Sequence, residues 1–220
     1  MSEIAANYRR VVERIEAASA RSGRDPKSIR LIAVTKTVSP DRIREAVDCG
    51  ITDIGENRLQ EALPKRESLA DLKVAWHFIG HLQTNKAKKV VESFDWVHSI
   101  DRADLAEKLN DHAHVKRLPV LLEVKLGGEI TKSGIEPDRT PILVNIVRGC
   151  NNLDLCGLMT IPPYSEDPEA SRPWFKRLRE QAALFGLTEL SMGMSNDFEA
   201  AIEEGATMIR VGTSLFGARA

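Results

Sequence analysis

Two features of this sequence carry chemistry. The first is Lys36, which ends the otherwise apolar run LIAVTKT (residues 31–37). An unpaired ammonium is costly to bury, so a lysine here either reaches solvent or sits where losing its proton is useful. A partly desolvated lysine beside another cation has its reference pKa of about 10.4 pulled down, and the neutral amine attacks carbonyl carbon. The cation that fits is Arg210, in the late run MIRVGTSLFG. The second feature is SMGMSNDFEAAIEEG (191–205), which reads as a strand end followed by a helix start with Ser195 or Asn196 as its cap. The first N–H groups of a helix have no internal partner and favour an anion, so this start beside RVGTS suits a phosphate. Gly212 permits close backbone approach there, and the hydroxyls of Ser195 and Thr213 add donors.

Whether these groups meet depends on the elements that carry them. Ile4, Tyr8, Val11, Val12, Ile15 and Ala18 fall at helical spacing, with Ser2 as a cap and SGRDP as a stop, which predicts one leading amphipathic helix. Short β-rich runs then alternate with helical stretches such as DRIREAVDCG: LIAVTK, DIGEN, AWHFIG, WVHSI, VLLEVK, LDLCGLMT, ELSMGM and MIRVGTSLFG. The first five begin about 22 residues apart, enough for a strand, a three-turn helix and two tight loops. Eight such units, evenly spaced, favour a (β/α)8 barrel over an open doubly wound sheet. The polar stretch IPPYSEDPEASRP reads as a long rim loop.

In a closed parallel barrel the active face is the rim at the strand C-termini. The residues expected there are Lys36, Glu56, Asn57, His77, Gly80, His81, Ser99, Asp101, Lys125, Met159, Thr160, Ser195, Asn196, Arg210, Gly212 and Thr213. The first strand adjoins the last, so Lys36 and the phosphate site are expected to share one cavity. That pair suits an aldehyde carrying a phosphate, either pyridoxal 5′-phosphate or a phosphorylated sugar.

Bulk properties remove other classes. A net charge of -1, from 31 basic and 32 acidic residues, provides no global field for nucleic acid or an anionic membrane. No apolar run approaches the roughly 20 residues of a membrane span, and the start resembles no signal peptide, so a cytoplasmic protein is expected. A length of 220 residues suits one domain over 1–220. Cys49, Cys150 and Cys156 lack CxxC spacing and read as buried thiols. His77 and His81 lack a third ligand, so no metal is expected, and NKAKK (85–89) reads as a solvated face.

The strings AVTKT, IGENRLQE, WHFIGHLQTNK, HSID, GLMTIP, LSMGMSNDFEAAIEEG and IRVGTSLFGAR, in this order across about residues 31–219, resemble the pyridoxal phosphate homeostasis proteins. These are PLP-binding barrels similar to the N-terminal domain of alanine racemase. The resemblance implies that Lys36 is the Schiff-base lysine, that Ser195, Gly212 and Thr213 hold the phosphate, that Arg210 faces the pyridine nitrogen, and that Asn57 lies on the ring's hydroxyl side. A guanidinium offers only donors, so an arginine opposite the ring nitrogen keeps that nitrogen unprotonated and the ring a weak electron sink.

Alanine racemase adds a second domain that supplies a tyrosine base, whereas this sequence ends at Ala220 and its two tyrosines, Tyr8 and Tyr164, do not stand in that place. The expectation is therefore a carrier or buffer of PLP in vitamin B6 and amino-acid homeostasis, with PLP-dependent apoenzymes as recipients, no robust turnover, and a monomer or weak dimer. The alternatives are a PLP-dependent racemase or lyase of the same fold and an aldolase for phosphorylated sugars. One departure from the family is Lys125, where relatives carry an asparagine, followed by Gly127 and Gly128. A transfer site, a salt-bridge partner and a neutral replacement all remain open for it.

Overall fold

A computed structural model describes residues 2–127 and 133–217. Eight parallel strands close into a barrel in sequence order: β1 Arg30–Val34, β2 Asp53–Glu56, β3 Ala75–Phe78, β4 Trp96–Ile100, β5 Leu118–Glu123, β6 Leu153–Met159, β7 Glu189–Met194 and β8 Met208–Val211. Closure is made by β1 on β8, with Ile32 opposite Arg210 and Ala33 opposite Val211. The expected barrel is what forms. Gly128, one of the two glycines noted after Lys125, lies outside the described residues.

Helix α1 (Glu3–Arg21) precedes the barrel, capped by Ser2, whose hydroxyl accepts from the Ala5 N–H. It buries Ile4, Val11, Ile15 and Ala18, the stripe its spacing predicts. Helices α2 (Pro40–Asp48), α3 (Leu59–Ser68), α4 (Ala87–Ser93), α5 (Ala103–His112), α6 (Thr140–Arg148), α7 (Arg172–Leu184) and α8 (Phe198–Glu203) follow the first seven strands, and α9 (Thr213–Phe216) is a single turn after β8.

Three expectations need correction. MIRVGTSLFG is not one strand, because β8 ends at Val211 and Thr213 begins α9. Gly212 breaks the extended run there, with φ of -117° and ψ of -72°. IPPYSEDPEASRP is a loop only in its first half: Pro168–Ser171 form a 3-10 turn capped by Asp167, and Arg172 and Pro173 open α7, where proline's missing N–H costs nothing. Of the cysteines, only Cys150 is buried, while Cys49 and Cys156 are half-buried on the barrel's periphery and interior wall.

The main core lies between the strands and the helices, and includes Ala33, Ile54, Phe78, Val97, Leu122, Leu158, Ile209 and Val211. Alternate residues point into the barrel instead, where a smaller apolar cluster of Ile32, Leu121, Met159 and Met208 sits beside buried His77, His98, Ser191 and Arg210. The interior is therefore part polar, and its polar groups must satisfy one another.

Helix α1 also reaches the far end of the chain. The buried Asn7 donates from Nδ2 to the Leu215 carbonyl of α9 at 2.9 Å, which fixes the turn that follows β8. Asn7→Leu keeps the volume but strands that carbonyl without its donor, a loss of about 1–3 kcal/mol. A lower urea midpoint at unchanged slope is the expected result, and an unchanged midpoint would show that α9 is held by other means.

Candidate functional site

The strand C-termini of β1, β2, β7 and β8 assemble one rim. Lys36 lies two residues past the end of β1, in a turn closed by the Val38 N–H on the Thr35 carbonyl at 3.0 Å. It is half-buried and is not part of the strand itself. Its neighbour Thr37 has φ of +62°, a left-handed conformation that a β-branched residue adopts only at a cost of about 1–3 kcal/mol.

That turn rests on a buried ionic contact unseen in the sequence. Lys65 of α3 donates to Glu56 Oε1 at 2.7 Å and to the Thr35 carbonyl at 2.6 Å, and the Thr35 hydroxyl donates to the same Glu56 oxygen at 2.6 Å. Glu56 is fully buried, so neither ion can be removed alone without leaving an uncompensated charge. The strain at Thr37 is held from below by this three-way contact.

Gly212 brings β8 against β1: a Cβ placed there would lie 3.3 Å from the Val34 carbonyl oxygen, so the backbone at the end of β8 lies against the strand that leads to Lys36. Ser195, one residue past β7, accepts at its Oγ from the N–H groups of Gly212 at 3.3 Å and of Ser214 at 3.2 Å. Two backbone donors from the same turn thus converge on one point, the geometry of an anion nest. The expected cap is different. Helix α8 begins at Phe198 with Asp197 as its first flanking residue, and the Asp197 carboxylate accepts from the Met194 N–H at 2.7 Å. Asn196 turns away and donates to the Ser165 carbonyl at 3.0 Å, tying down the loop after β6. The amides that converge on Ser195 precede and open α9, and Thr213 beside them is exposed.

Arg210 is 3% exposed inside the barrel. Its Nη1 donates to Ser191 Oγ at 2.6 Å and its Nη2 to the Thr160 carbonyl at 2.9 Å. Burial pulls its pKa down to about 10, against the pull of Glu123 and Asp197, so it stays cationic at neutral pH. Asn57 follows β2, and its buried Oδ1 has no hydrogen-bond partner among the described residues. Gly80 is the reason Asn57 stays there: a Cβ on Gly80 would stand 2.2 Å from the Asn57 carbonyl oxygen. Glu56 Oε2 and Ser99 Oγ are two further buried rim oxygens lacking a partner among the described residues.

Other expected rim residues separate. His77 is buried within the barrel between Asp53 and His98, while His81 is exposed and faces Asp101 at 3.8 Å, so the two do not form a pair. Among the described residues no group of three metal-ligating side chains forms. Lys125 is a salt-bridge partner, 3.3 Å from Glu136. Tyr164 is 80% exposed, and Tyr8 packs against Gly50 at the opposite end of the barrel. The family profile of the alanine racemase N-terminal domain matches residues 1–220. A protein of Aquifex aeolicus named pyridoxal phosphate homeostasis protein is 48% identical over 218 residues, covering 96% of each chain. One of the same name from Pseudomonas aeruginosa is 48% identical over 223 residues, covering 100% of this chain and 97% of its own. A solved structure described as PipY of Synechococcus elongatus with PLP bound superimposes with a TM-score of 0.83 at 41% identity, covering 94% of this chain and all of that one.

Glu123 is a rim residue that no sequence motif marks. It ends β5, two residues before Lys125, and is 6% exposed. Burial and the nearby Asp101 raise its pKa from the ordinary 4.5 to about 7, with Arg210 pulling the other way. A carboxyl raised in the folded state stays protonated there while the unfolded chain ionises, so its contribution to stability falls as pH rises from 4.5 toward about 7. The fall amounts to about 3 kcal/mol across that window. Glu123→Gln mimics the protonated form, so its stability relative to wild type is expected to rise by about that much between about pH 4 and about pH 8. Parallel urea midpoints of the two proteins across this range would rule out the shifted carboxyl.

Proposed function

The chain belongs to the pyridoxal phosphate homeostasis protein family, and from that premise we propose that it holds pyridoxal 5′-phosphate covalently on Lys36 and serves as a carrier or buffer of that cofactor. When bound, the cofactor supplies an aldehyde carbon that exchanges between amines. The chain's own residues decide where it sits and what else it does.

Three features support the fit. The amides of Gly212 and Ser214 converge on a single acceptor, now the Ser195 hydroxyl, and a phosphate oxygen suits the same two donors while Ser195 turns to donate. The half-buried Asn57 has a buried carbonyl oxygen that finds no donor among the described residues and suits the ring's hydroxyl side. Arg210 is a buried cation with no acceptor to offer, so the ring nitrogen opposite it keeps its lone pair and remains unprotonated. Thr213 adds a hydroxyl at the edge of the nest.

Arg210 is the single observation that carries the functional reading. A donor in that position withholds the proton that makes the ring a strong electron sink, so retention and exchange are favoured over carbanion chemistry. The tyrosines agree with this, because Tyr164 is largely exposed and Tyr8 lies at the far end. In this reading the protein works in the cytoplasm in vitamin B6 and amino-acid homeostasis, its partners are PLP-dependent apoenzymes, and residues 1–220 act as one domain without robust turnover.

Absorbance of the protein with and without added pyridoxal phosphate, followed by borohydride reduction and mass analysis, tests the assignment. Wild type is expected to gain the mass of the reduced adduct on Lys36, and Lys36→Ala to gain none. Ser195→Ala is expected to raise the half-saturating cofactor concentration about tenfold while the adduct still forms. An adduct that persists in Lys36→Ala, or rapid turnover of amino acids in excess over protein, would defeat the proposal.

A further inference from the structure

A chain of hydrogen bonds runs through the barrel from one mouth toward the other. Asp53, the first residue of β2, lines a cavity of about 560 Å3 at the N-terminal mouth together with Arg30 and Thr52. Its Oδ1 lies 2.8 Å from His77 Nε2, His77 Nδ1 lies 2.9 Å from His98 Nε2, and His98 Nδ1 lies 2.9 Å from Ser191 Oγ. Ser191 Oγ in turn accepts from Arg210 at 2.6 Å. His77, His98 and Ser191 are each 0% exposed, so no water competes for these bonds.

The two ends of this chain cannot reverse. An ionised carboxylate only accepts and a guanidinium only donates. Burial alone would raise the Asp53 pKa, but hydrogen bonds from His77 and Thr52 and the charge of Arg30 more than offset that and leave it below the usual range. Burial lowers His77 against the pull of Asp53, and burial together with the charges of Arg210 and Arg30 holds His98 well below its ordinary value, so both imidazoles are neutral. A neutral His77 that donates from Nε2 to Asp53 must accept at Nδ1. His98 must then donate from Nε2 and accept at Nδ1, and the Ser191 hydroxyl must donate to His98. Its remaining lone pairs face Arg210. One direction of donation satisfies all four contacts.

We propose that Asp53, His77 and His98 are positioning residues for the cofactor: through the Ser191 hydroxyl they fix the plane of the Arg210 guanidinium, so that its unused N–H groups face the ring nitrogen. Thr160 provides the second anchor at 2.9 Å, and with both held the guanidinium cannot swing. The inference rests on the cofactor reading only for what Arg210 faces. The relay itself is a property of the ligand-free protein.

Two measurements test it separately. Long-range 1H–15N spectra of the ligand-free wild type are expected to show His77 and His98 both neutral with the proton on Nε2. A proton on His98 Nδ1, or an imidazolium at either residue, overturns the relay whether or not the cofactor binds. In titrations with pyridoxal phosphate, His98→Phe removes the acceptor for Ser191 and is expected to raise the half-saturating concentration about threefold to tenfold, with the borohydride-trapped adduct on Lys36 retained. His98→Asn keeps an oxygen near the place of Nδ1 and is expected to recover most of that loss. Asp53→Asn, far from the cofactor and near solvent, is expected to mix the His77 and His98 tautomers in the same spectra. Equal affinity in wild type and His98→Phe, or unchanged tautomers in Asp53→Asn, defeats the positioning role. A wild type that forms no adduct defeats the cofactor reading and leaves the spectra to judge the relay.

Discussion

The site depends on one contact between the beginning and the end of the chain, the pairing of β1 with β8. Parallel strands cannot be joined by a tight turn, and a barrel has no free edge, so the last strand must find the first across the whole intervening sequence. The pairing sets Ile32 opposite Arg210 and brings Gly212 against Val34. With that register the turn that carries Lys36 and the amides that precede and open α9 lie on adjacent staves of the same rim. A one-residue slip would send Arg210 to the outer face, because side chains alternate along a strand.

Closure also creates a difficulty that the interior must solve. An arginine, two histidines and a serine point into a space where water is scarce, and each would be costly if unpaired. The solution is a single line of donors and acceptors that begins at a buried cation and ends at a carboxylate near solvent. Glu123 adds a second carboxyl on the Arg210 side whose charge is only partly present near neutral pH. The interior thus keeps Arg210 cationic without surrounding it with full negative charges. The same logic supports the rim: Lys65 and Glu56 neutralise each other beneath Thr35, and their contact holds the strained Thr37 turn.

Much of this was legible in the residues. Seven of the eight β-rich runs fall within two residues of the strands that form, the helical stripe of α1 is buried as its spacing requires, and Lys36, Asn57, Ser195, Arg210, Gly212 and Thr213 gather at or beneath one rim. The misreadings share a cause. Ser195 and Asn196 are good capping residues by type, yet Asp197 stands at the start of α8, since the place of a cap depends on where the strand releases the chain. Lys125 drew attention by its charge, while Glu123, two residues earlier and aligned with the barrel interior, is the group that matters to Arg210. His77 and His81 are near in sequence but point to an interior chain and to solvent.

The sequence by itself determined the repeating unit, the leading helix, the side chains whose chemistry suits an imine or a phosphate, and the family to which the chain belongs, because period, turn chemistry and side-chain type are local properties. Only the tertiary structure decided which donors converge on Ser195, which cation supports the Lys36 turn, and how Asp53 is linked to Arg210. Those contacts join residues from different strands and helices, and their geometry exists only once the pleat, the register and the closure of the barrel are set.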